Sequence, residues 1–168
     1  MESLWKLDLD NYEPVIRPPE AIVAQQCKYL EELTEGRVLA NVLKYKGPIF
    51  DYLDERRTDI QENLGDVGNV PNMHFNYEFY VTSPSTPKYK YRIMFFSYDL
   101  DQYPVKLVLD EDIAFDIRED ENIICVSEDE FKANLMQIFR SDKVQSVIRT
   151  LNIISKKEEE QNNKGITT

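Results

Sequence analysis

Residues 74–98, HFNYEFYVTSPSTPKYKYRIMFFSY, decide the fold of this chain. Apolar residues recur at every second position on both sides of a turn: Phe75, Tyr77, Phe79 and Val81, then Tyr89, Tyr91, Ile93 and Phe95. That is the period of a half-buried strand. Ser83-Pro84-Ser85-Thr86-Pro87 between the two runs is turn chemistry, with two prolines that fix φ. The stretch predicts a hairpin with two unlike faces. One face holds the eight apolar residues just named and packs against helices. The other carries Lys88, Lys90 and Arg92, and strict alternation continues it through Met94, Phe96 and Tyr98. A face that is basic at one end and apolar at the other is a candidate docking surface for a protein.

The flanks build a domain around this hairpin. Residues 1–17 carry Leu4, Trp5, Leu7, Leu9, Tyr12, Val15 and Ile16 without a helical period, and read as an N-terminal arm. Pro18-Pro19 opens a helix, because proline is tolerated in the first turn. Ile22, Val23, Gln26, Cys27, Leu30 and Leu33 follow at helical spacing, and Gly36 supplies the stop. Residues 37–45 predict a first strand. In it Val38, Ala40, Val42 and Lys44 alternate with Leu39, Asn41, Leu43 and Tyr45. Residues 46–72 read as an excursion between strands, with a short surface helix over 49–64.

Beyond the hairpin, YPVKLVLD gives a further antiparallel strand, since the connection is too short for a crossover helix. Val105, Leu107 and Leu109 face one way, and Lys106 and Val108 the other. Residues 110–121 are an acidic turn, and 122–126 a short buried-type strand. Ser127 and Glu130 form a capping box before a helix that buries Phe131, Leu135, Ile138 and Phe139. Ser141-Asp142 caps a last helix striped with Val144, Val147, Ile148, Leu151 and Ile154. The polar tail 156–168 is expected to fray. The order predicts an α+β domain over 18–155. Its mainly antiparallel sheet has about four to five strands, with the N-terminal helix and two C-terminal helices packed on one face.

Composition narrows the function. A chain of 168 residues with 42% apolar content suits one globular domain. A net charge of -11 argues against general nucleic-acid binding and against docking on anionic membranes. Neither a signal peptide nor an 18-residue apolar run is visible, so the reading is a cytoplasmic protein. Cys27 and Cys125 are too few for a disulfide framework or a zinc site, and both read as small buried hydrophobes. The segment DEDIAFDIREDE, 110–121, has acids at four EF-hand positions. It places Phe115 where that loop needs glycine, so calcium is not expected there. No phosphate-binding glycine motif is present, and His74 is the single histidine. No cofactor is predicted.

Three segments resemble a group of small, uncharacterised bacterial proteins. They are RPPEAIVAQQ (17–26), QYPVKLVLD (102–110) and SDKVQSVIRTL (141–151). The group has an R-P-P-x-x-I helix, a Tyr-Pro-Val strand and a C-terminal Ser-x-x-Val-x-x-Val-Ile helix. The resemblance implies a bacterial, cytosolic, single-domain α+β protein and carries no catalytic motif.

The sequence therefore predicts a non-catalytic interaction protein: an antitoxin, an immunity or defence-accessory subunit, or a chaperone-like protein. Its partner would bind Lys88, Lys90, Arg92, Met94 and Phe96. If the partner is basic, Asp110, Asp112 and Asp116 would bind it instead. The alternative is a small carboxylate-dependent metal hydrolase or nuclease, for which no particular carboxylate pair stands out.

Overall fold

The computed structural model describes residues 4–5, 17–47 and 75–165. The predicted excursion, its surface helix and His74 lie outside these residues, as does most of the N-terminal arm. The described chain runs α1 (Pro19–Leu33), β1 (Leu39–Lys44), β2 (Phe75–Ser83), β3 (Thr86–Tyr98), β4 (Val105–Leu109), α2 (Glu111–Ile117), β5 (Asn122–Cys125), α3 (Glu128–Phe139) and α4 (Asp142–Gly165). The five strands form one antiparallel meander, ordered β1-β2-β3-β4-β5. The architecture is α+β, with the N-terminal helix and the two C-terminal helices expected from sequence.

Local chemistry explains the ends of the helices. Pro19 sits in the first turn of α1. The helix stops where Glu35 and Gly36 take positive φ, and Gly36 N–H closes onto Glu31 O at 2.8 Å. Gly36, at φ 77°, occupies a left-handed position that a side chain would strain. Ser127 caps α3, its Oγ accepting from Glu130 N–H at 3.2 Å. Glu130 reaches back to Val126 N–H at 2.9 Å, one residue further than an ordinary capping box.

Two elements differ from expectation. The acidic turn 110–121 contains a helix, α2, which buries Ile113 and Ala114. Helix α4 does not fray at Ser155 but continues to Gly165. Two long-range contacts tie this extension down. Ser155 is buried, with its Oγ 3.1 Å from Ser85 Oγ at the hairpin tip, and Arg37 Nε lies 3.2 Å from a Glu159 carboxylate oxygen.

The core lies between one face of the sheet and the helices. It contains Val38 of the segment leading into β1, Phe79 and Val81 of β2, Leu107 of β4 and Cys125 of β5, met by Val23, Ile113, Phe131, Ile138 and Val144. Burying about a dozen such side chains completely is the main stabilising term, at about 1.5–3 kcal/mol for each large aliphatic or aromatic one.

Register overturns one prediction. Phe79 pairs with Met94, but Tyr80 pairs with Arg92, so Ile93 is an extra residue bulged out of the ladder. The bulge reverses the parity of β3. Met94 and Phe96, expected on the outer face, are each 1% exposed in the core, and Tyr98 joins them there. Phe95, expected under the helices, pairs with Glu78 on the outer face. Both Ile93 and Met94 are buried, which alternation would forbid without a bulge. Asp110 braces the bulge: its N–H donates to Ile93 O at 3.2 Å, and its carboxylate accepts from Tyr91 Oη at 2.6 Å.

Candidate functional site

The outer face of the sheet carries the basic residues predicted to bind a partner. Glu78, from the middle of β2, is buried between two of them. Its Oε1 accepts from Lys90 Nζ at 2.8 Å. Its Oε2 accepts from Arg92 Nε at 2.9 Å and lies 2.8 Å from Arg92 Nη2. Burial alone would raise the pKa of this carboxyl. Hydrogen bonds and positive charge from Lys90 and Arg92 outweigh that and hold it below the ordinary value. Aromatic rings complete the cluster. Lys90 Nζ stands 4.0 Å from the Tyr80 centroid, and the Arg92 guanidinium 4.5 Å from Phe95. Tyr45 meets Phe95 with its ring tilted by 43° and the centroids 4.5 Å apart.

These contacts change what the basic strand can do. Lys90 and Arg92 remain two-fifths exposed, but a carboxylate of their own chain neutralises them in part. Lys88 lies beyond a second register break, between Val81 and Ser83 of β2, and makes no ion pair among the described residues. Met94 and Phe96 cannot meet a partner without unfolding the core. The face thus offers a self-paired cluster where the sequence suggested a continuous basic and apolar strip.

The three acids named for a basic partner also have internal work. Asp110 binds Tyr91 as described. Asp116 Oδ2 accepts from Lys143 N–H at 2.7 Å and so caps α4 from a neighbouring helix. Asp112 Oδ2 lies 3.2 Å from Lys143 Nζ. Together they join β3, α2 and α4. Among the described residues no group of three or more His, Cys, Asp or Glu side chains is placed to hold a metal. Burial pushes Cys27 and Cys125 thiols up to about 11, opposite to what a nucleophile needs.

A second surface, missed from sequence, lies on the helical side. Helix α1 stands apart from α3 and α4, leaving a groove between them. Its deep end, about 210 Å³, is floored by Phe79, Val81 and Ile93 and walled by Leu30, Leu33 and Ile148. A wider stretch of about 760 Å³ continues between α1 and α3, past Ile22, Leu135 and Met136. Gln26, Tyr29 and Phe139 border both stretches, so the groove is continuous. Its lip exposes large apolar groups: Leu33 is 83% exposed and Met136 49%. Arg17, Lys132 and Arg140 stand along the wider stretch against one acid, Asp129. Lys132 is paired with Glu128 at 2.7 Å. The signal available in sequence was Tyr29 and Met136, apolar residues lying off the core stripes of α1 and α3.

Searches against family models, curated proteins and solved structures found no match to this chain. No described helix is long and apolar enough to cross a membrane.

Proposed function

We propose that this chain is a non-catalytic protein-interaction module of a bacterial cytosolic system, of the antitoxin, immunity, defence-accessory or chaperone-like kind. The observation that carries the reading is the groove between α1 and the α3–α4 pair. Apolar groups at the lip of a long groove are costly to leave in water and favour an amphipathic segment that covers them. The basic excess along the wider stretch favours a segment with acids flanking its apolar stripe. The bacterial and cytosolic parts rest on the resemblance of residues 17–26, 102–110 and 141–151 to the small bacterial group.

Photo-crosslinking tests this in the native host. A photoreactive residue at position 136 should capture one partner protein, and one at position 92 should not. Met136→Glu should abolish capture from a probe at position 29. Equal capture from 92 and 136, or capture that survives Met136→Glu, would remove the groove from the function.

A further inference from the structure

The last strand of the meander leaves one edge of the sheet open. Strand β5 pairs with β4 on one side, and none of the described strands pairs with it on the other. Leu109 N–H donates to Glu121 O at 2.7 Å. In an antiparallel ladder such bonded pairs recur at every second residue, so Leu107 with Ile123 and Val105 with Cys125 continue the series. The far side of β4 agrees. Asp110 N–H donates to Ile93 O, so Lys106 and Val108 turn their main-chain groups to β3. The N–H and C=O groups of Asn122 and Ile124 therefore point away from β4, to the open edge. Val126 N–H is held by Glu130 at 2.9 Å, which ends the open run.

Side chains along this edge are apolar and accessible. Ile124 is 47% exposed and Val126 64%. Edge strands are commonly guarded by lysine or proline. Asn122-Ile123-Ile124-Cys125-Val126 contains neither. Acids stand at both ends instead. Glu119, Asp120 and Glu121 precede the strand and are exposed, and Glu128, Asp129 and Glu130 follow it. Arg118 stands before the first group and Lys132 pairs with Glu128, so negative charge remains in excess. A second copy laid antiparallel on β5 and centred on Ile124 would set Glu119 and Asp120 against Asp129 and Glu128. Like charges directly opposite across strands are destabilising. The same acids attract a strand with basic ends. Charge thus rejects a copy of this chain and selects a cationic occupant.

We infer that β5 is a strand-addition site for an extended segment of a partner protein, apolar at its centre and carrying Lys or Arg at both ends. The segment pairs with the main chain of Asn122 and Ile124 and packs on the Ile124 and Val126 side chains. Main-chain bonds supply the attachment, and the flanking acids choose its charge. The site goes beyond the groove: Asn122, Ile124 and Val126 line neither of its stretches.

Amide hydrogen exchange, read by NMR on the full-length chain, tests this residue by residue. The probe is a capped synthetic peptide of alternating threonine and valine with a pair of lysines at each end. It should bind at submillimolar concentration and slow exchange at Asn122 and Ile124. Ile123 and Cys125, already bonded to β4, should stay as they were. The same peptide with glutamate ends should bind at least tenfold more weakly. Ile124→Pro removes the outward N–H without touching the bonds to β4, and should weaken the lysine-ended peptide tenfold or more. Asp120→Lys combined with Glu121→Lys should weaken it at low salt and lose that effect at high salt. Far-UV circular dichroism checks that each variant keeps the fold. Absence of binding by the lysine-ended peptide would overturn the inference. So would binding that leaves exchange at Asn122 and Ile124 unchanged, which would be attraction by net charge alone. Slowing of these two amides with rising protein concentration and no peptide would make the edge a self-pairing interface instead. Met136→Glu should leave peptide binding as it was. A loss there would place the peptide in the groove, so failure at the edge and failure of the groove are read separately.

Discussion

Thr86–Arg92 and Met94–Tyr98 belong to one strand, yet they obey opposite parities. In the first half Lys90 and Arg92 reach Glu78 on the outer face, while Tyr91 faces Val81. In the second half Met94, Phe96 and Tyr98 turn into the core, and Phe95 comes out beside Tyr45. A single bulged residue separates the two regimes. Because side chains alternate with period two, one extra residue exchanges the faces of everything beyond it. The exchange has a functional consequence. It withdraws the apolar half of the predicted docking strip and leaves the basic half, which is paired with its own glutamate. The proposed docking site therefore lies on the helical side of the molecule, in the groove between α1 and α3–α4.

Removing the extra residue tests this comparison most severely. Deletion of Ile93 joins Arg92 to Met94, which already pair with the adjacent Tyr80 and Phe79. The ladder becomes regular, with Lys90 and Arg92 still outside and Met94, Phe96 and Tyr98 still in the core. The deletion should keep a single cooperative urea transition. It should cost about 2–5 kcal/mol from the lost packing of the buried Ile93 side chain, and about 1 kcal/mol more from the Asp110 N–H bond to Ile93 O. Loss of any cooperative transition would show that more than this one residue sets the two faces of β3.

A gentler pair of substitutions measures the same parity. Phe96 packs on Phe131 and Tyr77, with ring centroids at 6.2 and 5.2 Å. Phe96→Ala should cost about 3–5 kcal/mol, as expected for a buried aromatic. Its neighbour Phe95 is half-buried on the outer face, and Phe95→Ala should cost only about 1–2 kcal/mol from the smaller area it covers. Urea midpoints of both variants decide it. Equal losses, or a larger loss at Phe95, would contradict the placement of the two rings.

Most of the sheet was legible from sequence because its strands carry a clear period. Val105, Leu107 and Leu109 alternate with Lys106 and Val108, and that assignment holds in the register with β3 and β5. The bulge was not legible for a definite reason. Ile93-Met94-Phe95-Phe96 is apolar at four consecutive positions, so either parity satisfies the pattern. Helix α2 was hidden because its acids are spread over both sides of a seven-residue segment, leaving only Ile113 and Ala114 as core signal. The extension of α4 past Ser155 has no apolar stripe, so neither period nor composition marked it. Its contacts with Ser85 and Arg37 come from parts of the chain 70 and 122 residues away. The groove escaped notice because it depends on the gap between α1 and α3–α4, which no local pattern encodes.

The outer half of the comparison rests on Glu78, and pH separates its role from that of a solvated surface acid. The folded-state pKa of Glu78 is lowered, so its contribution to stability is present above the ordinary carboxylate value of about 4.3. That contribution is lost as pH falls through the lower folded value. Glu78→Gln removes the charge but keeps the shape. At pH 7 it should cost about 1–2 kcal/mol, a range already reduced for the partial exposure of Lys90 and Arg92. The gap between wild type and variant should then close as pH drops below the folded pKa, because the wild-type carboxyl becomes neutral as well. Lys88→Glu is the matched control, changing a charge on the same strand outside the cluster, and should stay within about 0.5 kcal/mol of wild type at neutral pH. Urea unfolding at pH 7 and at acid pH reads both variants. A Glu78→Gln gap that does not narrow in acid would mean that the variant acts through packing rather than charge. A Lys88→Glu effect as large as that of Glu78→Gln would mean that the basic strand acts as one field, in which Glu78 has no special place.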